Sequence, residues 1–373
     1  MQCPRCKNED NRYFYLFQNR YYCRKCIRFG RVFVDQQIQV SNHTYETTGH
    51  YQLNYQLTKQ QKDMSKQLVL QYQNYLDSKV KAVCGAGKTE IVYEVIQYAL
   101  SLGRRVCFCT PRRELTKELF GRLKEQFFDV GIDLVYGGHT KKLEGQLIVC
   151  TCHQLFRFPQ CFDLLVLDEM DAFPYKGDEQ LQEILKNSCK GNMIYMSATM
   201  QDEDALSMAK RYHGHDIPVP KCQIMPYYFS LLKCVQQIKQ YCLNEKPVLI
   251  YVATKQQTLY VANFLKLFHV KTDIVHSLIP NTQELLRKLI NREVDCLVTT
   301  TILERGVTIE NVQVLILSGE NKVYDRETLI QIAGRVGRKI GHPTGDVIIY
   351  SVYKTKAIKD CIRCIITDNA AIV

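Results

Sequence analysis

The 373-residue sequence predicts an α/β fold, with two tandem parallel-sheet domains behind a small N-terminal four-cysteine module. Three observations predict it. From about residue 51 onward, short apolar runs alternate with longer amphipathic ones, the pattern of buried parallel strands covered by helices. The alternation occurs twice, on either side of a His- and Pro-rich stretch around "YHGHDIPVPK". Residues 1–34 differ in composition from the rest, with two CxxC pairs and eight basic side chains (Arg5, Lys7, Arg12, Arg20, Arg24, Lys25, Arg28, Arg31) against Glu9 and Asp10.

In chain order, Cys3, Cys6, Cys23 and Cys26 come first. Sixteen residues separate the pairs, so the intervening segment can fold back as a hairpin and bring four thiolates to one tetrahedral ion, with Zn²⁺ favoured. A block this short cannot build its own core, so metal binding becomes part of its folding energy. Its loop carries Tyr13, Phe14, Tyr15, Phe17, Tyr21 and Tyr22 beside Arg12 and Arg20. These rings either stack on bases or, in part, form the module's own small core. Residues 35–50, rich in Gln, His and Thr, read as a linker. The first large domain is expected over 51–210, with strands in "KVKAVCG", "RRVCFCT", "GQLIVCT", "FDLLVLDE" and "GNMIYMSAT". The second is expected over 211–373, with strands in "KPVLIYVAT", "KTDIVHS", "VDCLVTT", "VQVLILSG" and "GDVIIYSV".

Composition narrows the chemistry. Lys+Arg exceed Asp+Glu by 49 to 38, a net charge of +11 that favours an anionic partner, most commonly nucleic acid. The 17 cysteines are odd in number, and Cys107, Cys109, Cys150 and Cys296 fall in strand-like runs, where cysteine is a small hydrophobe. That usage suits a reducing compartment better than a disulfide framework. Cys361 and Cys364 form a lone third pair, expected to pack in ordinary secondary structure. His213 and His215 read as loop residues, and "RRELTKELFGRLKEQF" as an amphipathic core helix. No apolar run approaches the ~20 residues of a spanning helix, and the N-terminus lacks a signal-peptide pattern.

Three motifs carry reaction chemistry. "AVCGAGKTE" places Gly85, Ala86, Gly87, Lys88 and Thr89 after a strand and before a helix, with Ala82 where a phosphate-binding loop usually has its first glycine. Glycines let backbone N–H groups turn onto phosphates, Lys88 can reach the β- and γ-phosphates of ATP, and the Thr89 hydroxyl can bind Mg²⁺. "LLVLDEMDAF" puts Asp168 and Glu169 just past a buried strand, where Asp168 can hold Mg²⁺ and Glu169 can deprotonate an attacking water. "QIAGRVGR" supplies Arg335 and Arg338, three apart and so on one face if the segment is helical, as candidate arginine fingers.

With these motifs in order, the chain resembles the superfamily 2 helicases and translocases. That resemblance implies two RecA-like domains. It assigns adenine recognition to Gln61 and a place near the nucleotide to Arg305–Gly306. Nucleic-acid contacts fall to Thr110, Pro111, Arg112, Gly137, Gly138, Thr151 and Thr300, and coupling to Asp171, Ser197, Ala198, Thr199 and Gln331. With the four-cysteine module in front, the run "AVCGAGKTE", "TPRREL", "DEMDAFP", "SATM", "TTTILERGVTI" and "QIAGRVGR" is similar to the ComFA family of competence-associated ATPases. Membership implies a cytoplasmic, single-stranded-DNA-stimulated ATPase that helps import transforming DNA. It further implies ComFC and the membrane DNA-uptake channel as partners, a place at the inner face of the membrane, and room for a homo-oligomer. The sequence departs from the helicase pattern at Thr308, where DEAD-box proteins carry Asp, and reads "DEMD" in place of "DEAD". Two other readings use the same residues: a replication-restart or repair DNA helicase, and a zinc-ribbon scaffold switched by ATP.

Overall fold

The computed structural model describes the chain apart from residues 37–44, 46–48, 173–174, 280, 305–308 and 372–373, and the side chains at 302 and 304. Most of the linker expected at 35–50 therefore lies outside the described residues, as do Arg305, Gly306 and Thr308. The chain divides into two compact units, one of residues 1–81 and 88–207, the other of 82–87 and 208–373.

The first unit begins with the cysteine module. Strands β1 (Phe14–Phe17) and β2 (Arg20–Cys23) form an antiparallel hairpin. Gln18 and Asn19 between them both have positive φ, 49° and 58°, the signature of a two-residue type I′ turn. Phe14 is buried with Cys3, Cys6, Cys23, Cys26 and Val32 in the module's core, while Tyr13, Tyr15, Phe17 and Tyr21 remain exposed. The module's rings thus divide between core and surface.

The large domain of this unit follows as α1 (Lys59–Gln73), β3 (Ser78–Ala82), α2 (Tyr93–Ser101), β4 (Val106–Thr110), α3 (Arg113–Gln126) and β5 (Ile132–Val135). It continues with β6 (Leu147–Thr151), β7 (Phe162–Asp168), α4 (Glu179–Ser188), β8 (Cys189–Ser197) and β9 (Leu206–Met208). The sheet order is β5-β6-β4-β7-β8-β3-β9, and from β5 to β3 every neighbouring pair is parallel. Strands β4 and β6 are buried along their whole length, which is why they read as continuous apolar runs. Cys107, Cys109 and Cys150 sit there with 0% exposure, and burial pushes the Cys107 and Cys109 thiols well up. Helix α3 buries Thr116, Leu119 and Leu123, one stripe at helical spacing.

The module packs on this domain. Phe29 lies against Phe156 (ring centroids 5.6 Å) and His153 (6.3 Å) of the short 3₁₀ turn Cys152–Arg157. Arg28 pairs with Asp178 at 2.6 Å, and Asp178 also caps α4 by accepting from Leu181 N. The Asn187 side chain at the far end of α4 donates to the carbonyls of Pro4 (3.0 Å) and Arg5 (3.2 Å).

The second unit contains β10 (Lys221–Ile224), α5 (Tyr227–Leu243), β11 (Val248–Tyr251), α6 (Lys255–Leu267), β12 (Thr272–Val275) and α7 (Thr282–Ile290). It ends with β13 (Cys296–Thr299), β14 (Gln313–Ile316), α8 (Arg326–Ala333), β15 (Val347–Ser351) and α9 (Lys356–Ala370). Its sheet order is β10-β15-β14-β11-β13-β12, parallel throughout. Cys296 is buried in β13 and Cys361 in α9, where Cys364 Sγ donates to Asp368. Three strands escape the sequence pattern: β5, β9 and β10. They are short, lie at or near sheet edges and are only partly buried, so they lack the apolar run that marks a central strand.

Candidate active site and four-cysteine centre

The first domain sorts its motifs along one edge of its sheet. In a parallel sheet all strands end on the same side, so the residues after β3, β7, β8, β4, β5 and β6 share the carboxyl edge. Sheet order then places the loops after β7, β8 and β3 on one half of that edge and those after β5, β6 and β4 on the other.

On the first half, β3 ends at the fully buried Ala82 and the chain turns through Gly85 (φ +87°) and Gly87 (φ +80°). A Cβ at Gly85 would have its nearest neighbour at an ordinary 3.6 Å, so backbone conformation, not space, calls for glycine there. Ala86 is buried. Lys88 and Thr89 follow, leading through a 3₁₀ turn into α2. Lys88 Nζ lies 3.5 Å from Asp168 Oδ1 at the end of β7. Arg122 of α3 donates to the Thr89 hydroxyl at 3.4 Å and pairs with the buried Glu90, which also accepts from Tyr55 OH at 3.0 Å. Burial, with Glu90 beside it, pushes the Tyr55 phenol up to about 12.

Asp168 Oδ1 accepts from the backbone N–H of Glu169 at 2.9 Å. Glu169 is 8% exposed and has φ +60°, an uncommon conformation for a residue with a side chain. Asp171 accepts from Thr199 Oγ1 at 2.5 Å, and the Thr199 N–H donates to Ser197 Oγ at 2.9 Å. Ser197, Ala198 and Thr199 are all buried. The segment after β8 is therefore hydrogen-bonded to the one after β7. Gln61 is 4% exposed, and its Oε1 accepts from the Thr58 N–H in the capping box that starts α1.

The other half of the edge holds the candidate nucleic-acid residues. Thr110 and Thr151 are opposite one another in the β4–β6 register, and both are buried. The Thr110 hydroxyl contacts the Thr116 hydroxyl at 2.7 Å and donates to the Arg112 carbonyl at 3.1 Å. The Thr110 hydroxyl is thus engaged within the turn that carries Pro111 and Arg112. Pro111 is buried and Arg112 half-buried. Gly137 and Gly138 are exposed in a tight turn, with Gly138 at φ +85° and a bridge between Tyr136 and His139. Sequence reading missed what surrounds that turn: Tyr136 stacks on His139 (5.1 Å, 17°), with Arg113 at 4.4 Å and Lys117 at 5.3 Å from the Tyr136 ring. The signal was present in Arg113 and Lys117 lying four apart on α3, but their meeting with Tyr136 is a long-range contact.

In the second unit α8 stops at Ala333, so Arg335 and Arg338 are not on a helix. They lie in the turn that follows, where Gly337 has φ +69°. Glycine takes that conformation without steric penalty. Arg335 is buried, and Arg338 Nε donates to the Gly334 carbonyl at 2.8 Å. The 82–87 segment that belongs to this unit meets the same turn. Gln331 accepts from Cys84 Sγ at 3.5 Å, and the buried Arg211 donates to Cys84 O (3.1 Å), Gly334 O (3.2 Å), Val336 O (2.8 Å) and Gly337 O (2.6 Å). Burial lowers the Arg211 guanidinium to about 10, and no spacing in the sequence marks the residue. His213, on the same loop, contacts Gly337 O at 3.0 Å. Thr300 is half-buried just beyond β13, and Gly306 lies outside the described residues.

The four cysteines converge. Their sulfurs all lie within 4.8 Å of one another, with Cys3–Cys26 and Cys6–Cys23 each at 3.8 Å. A tetrahedral ion with Zn–S bonds of about 2.3 Å sets sulfurs about 3.8 Å apart, so the donor set and its size fit zinc. A hydrogen bond shared between them lowers the Cys3 thiol and raises the Cys26 thiol.

The DEAD/DEAH box helicase family model matches residues 58–207, and the helicase conserved C-terminal domain model matches 232–340. The chain is 31% identical over 388 aligned positions to competence protein ComFA of Bacillus subtilis (strain 168), spanning 96% of this chain and 83% of that protein. It is 32% identical over 383 positions to competence protein ComFA of Streptococcus pneumoniae (strain R6), spanning 97% and 88%. Among solved structures, Saccharomyces cerevisiae Dbp5 bound to RNA and ADP BeF3 superposes with a TM-score of 0.61 at 18% identity, covering 85% of this chain and 93% of that one, a likeness of fold.

Proposed function

The chain belongs to the ComFA family of competence proteins, a helicase-class family with ATP-hydrolysing domains, and from that membership we propose a motor that moves single-stranded DNA into the cytoplasm. The observation that supports the reading best is the sorting of the first domain's carboxyl edge. Nucleotide motifs follow β3, β7 and β8, candidate strand-gripping motifs follow β4, β5 and β6, and the Asp171–Thr199 hydrogen bond ties two of the loops on the nucleotide half together. Strand contacts on such an edge fall mainly to backbone and basic groups and so ignore sequence.

The residues have distinct tasks. The N–H groups of Gly85, Ala86 and Gly87, with Lys88, are to hold ATP phosphates. Thr89 and Asp168 would hold Mg²⁺, whose part is to neutralise charge on the phosphates. Glu169, kept beside Asp168 by its left-handed backbone, orients and deprotonates the attacking water. Arg335 and Arg338 supply positive charge to the transferred phosphoryl group. Gln61, at the start of α1, is to read adenine. The four cysteines hold Zn²⁺ and keep the module folded.

ComFC and the membrane DNA-uptake channel are the protein partners the family points to. Among the described residues no helix is long and apolar enough to cross a membrane, so work at the channel would be peripheral. The motor reading is tested by displacement of streptavidin from the biotinylated end of a single-stranded oligonucleotide. We expect ATP-dependent displacement, biased to one end and absent in Lys88→Ala. Displacement at equal rates with and without ATP contradicts it.

A further inference from the structure

The outer face of the cysteine module is an alternating stack of rings and cations. Tyr15 and Phe17 are two apart in β1 and so share a face, and Tyr22 stands opposite Tyr15 on β2. Tyr22 lies 6.5 Å from Tyr15, 6.5 Å from Phe17 and 6.4 Å from Phe33, so four rings form one continuous patch. Guanidinium groups lie over them: Arg24 on Tyr15 at 4.3 Å, Arg31 on Phe17 at 3.8 Å, and Arg20 on Phe33 at 4.2 Å. Tyr15 is 44% and Phe17 38% exposed, whereas Phe14, on the opposite face, fills the module's core. The outer rings are thus not needed to bury the four-cysteine centre.

Charge identifies the occupant. Arg20 is neutralised by Asp35 at 2.8 Å, but among the described residues no carboxylate pairs with Arg24 or Arg31. An apolar partner would leave those two charges facing nothing of opposite sign, and an acidic peptide would leave the rings unused. A single-stranded nucleic acid satisfies both, with π-faces for the rings and phosphates for the cations. We propose that this face binds single-stranded nucleic acid, with Tyr15, Phe17 and Tyr22 as stacking platform and Arg24 and Arg31 as phosphate clamps. The inference rests on the motor reading for its substrate, yet it concerns a surface separate from the ATP-binding edge.

The test uses the full chain and fluorescence anisotropy of a labelled oligothymidine of about 16 nucleotides. The double variant Tyr15→Ala, Phe17→Ala should bind roughly tenfold or more weakly with its zinc content unchanged. The second variant, Arg24→Gln with Arg31→Gln, leaves the β1 rings in place. It should flatten the dependence of log affinity on log salt by about 1.4, as each lost phosphate contact removes roughly 0.7. If the first variant loses zinc, the salt slope of the second decides. Affinity within about twofold of wild type, or an unchanged salt slope in the second variant, overturns the proposal. A chain whose ATPase ignores single strands while these variants still bind more weakly loses the motor reading and keeps the platform.

Discussion

Glu169 takes a backbone conformation that costs a residue with a side chain about 1–2 kcal/mol, and it does so at the end of the strand that carries Asp168. Such strain is tolerated where it aims a functional group. Glu169→Gln keeps the shape and removes the proposed base, so ATP turnover should fall roughly 100- to 1,000-fold with the melting temperature unchanged. Lys88→Ala should abolish turnover and nucleotide binding together, measured as phosphate release and as fluorescent-nucleotide affinity. Thr199→Val deletes the donor to Asp171, 2.5 Å away. Basal hydrolysis should persist while its stimulation by DNA falls severalfold, and equal loss of both would remove Thr199 from coupling. Lys88, Asp168 and Glu169 are legible in the sequence because glycine spacing and a strand end announce them. Arg211, Arg122 and Tyr136 are not, because each acts through contacts between segments far apart in the chain, which no local spacing records.

At the scale of elements, the central strands were readable from their apolar runs, and the edge strands β5 and β10 were not, since a half-buried edge needs no such run. The two arginines would share a face only if their segment were helical, and α8 ends at Ala333, before either of them. The cysteine module reads as a metal clip from its spacing alone. Its seating on the first domain through Phe29, Arg28 and Asn187 has no sequence signal. That seating links metal to the stability of the larger domain. Cys3→Ser with Cys6→Ser should reduce zinc from one ion per chain to none, read by metal analysis, and lower the melting temperature by several degrees. Zinc retained at one per chain would remove the site. An unchanged melting temperature would show that the seating contributes nothing to stability.

For the whole molecule, an excess of 11 positive charges over the full chain, cysteine module included, suits a protein that meets a phosphate backbone, and the family assignment names the setting in which it does so. A motor of this kind differs from an ATP-switched scaffold in one property: the strand it moves must accelerate its hydrolysis. The most direct measurement is therefore steady-state ATP turnover by the wild-type chain with no nucleic acid, single-stranded DNA, duplex DNA and RNA, repeated at two salt concentrations. We expect stimulation of tenfold or more by single-stranded DNA, less by duplex, and a weaker effect at the higher salt. Turnover indifferent to single-stranded DNA at both salt concentrations would contradict the account.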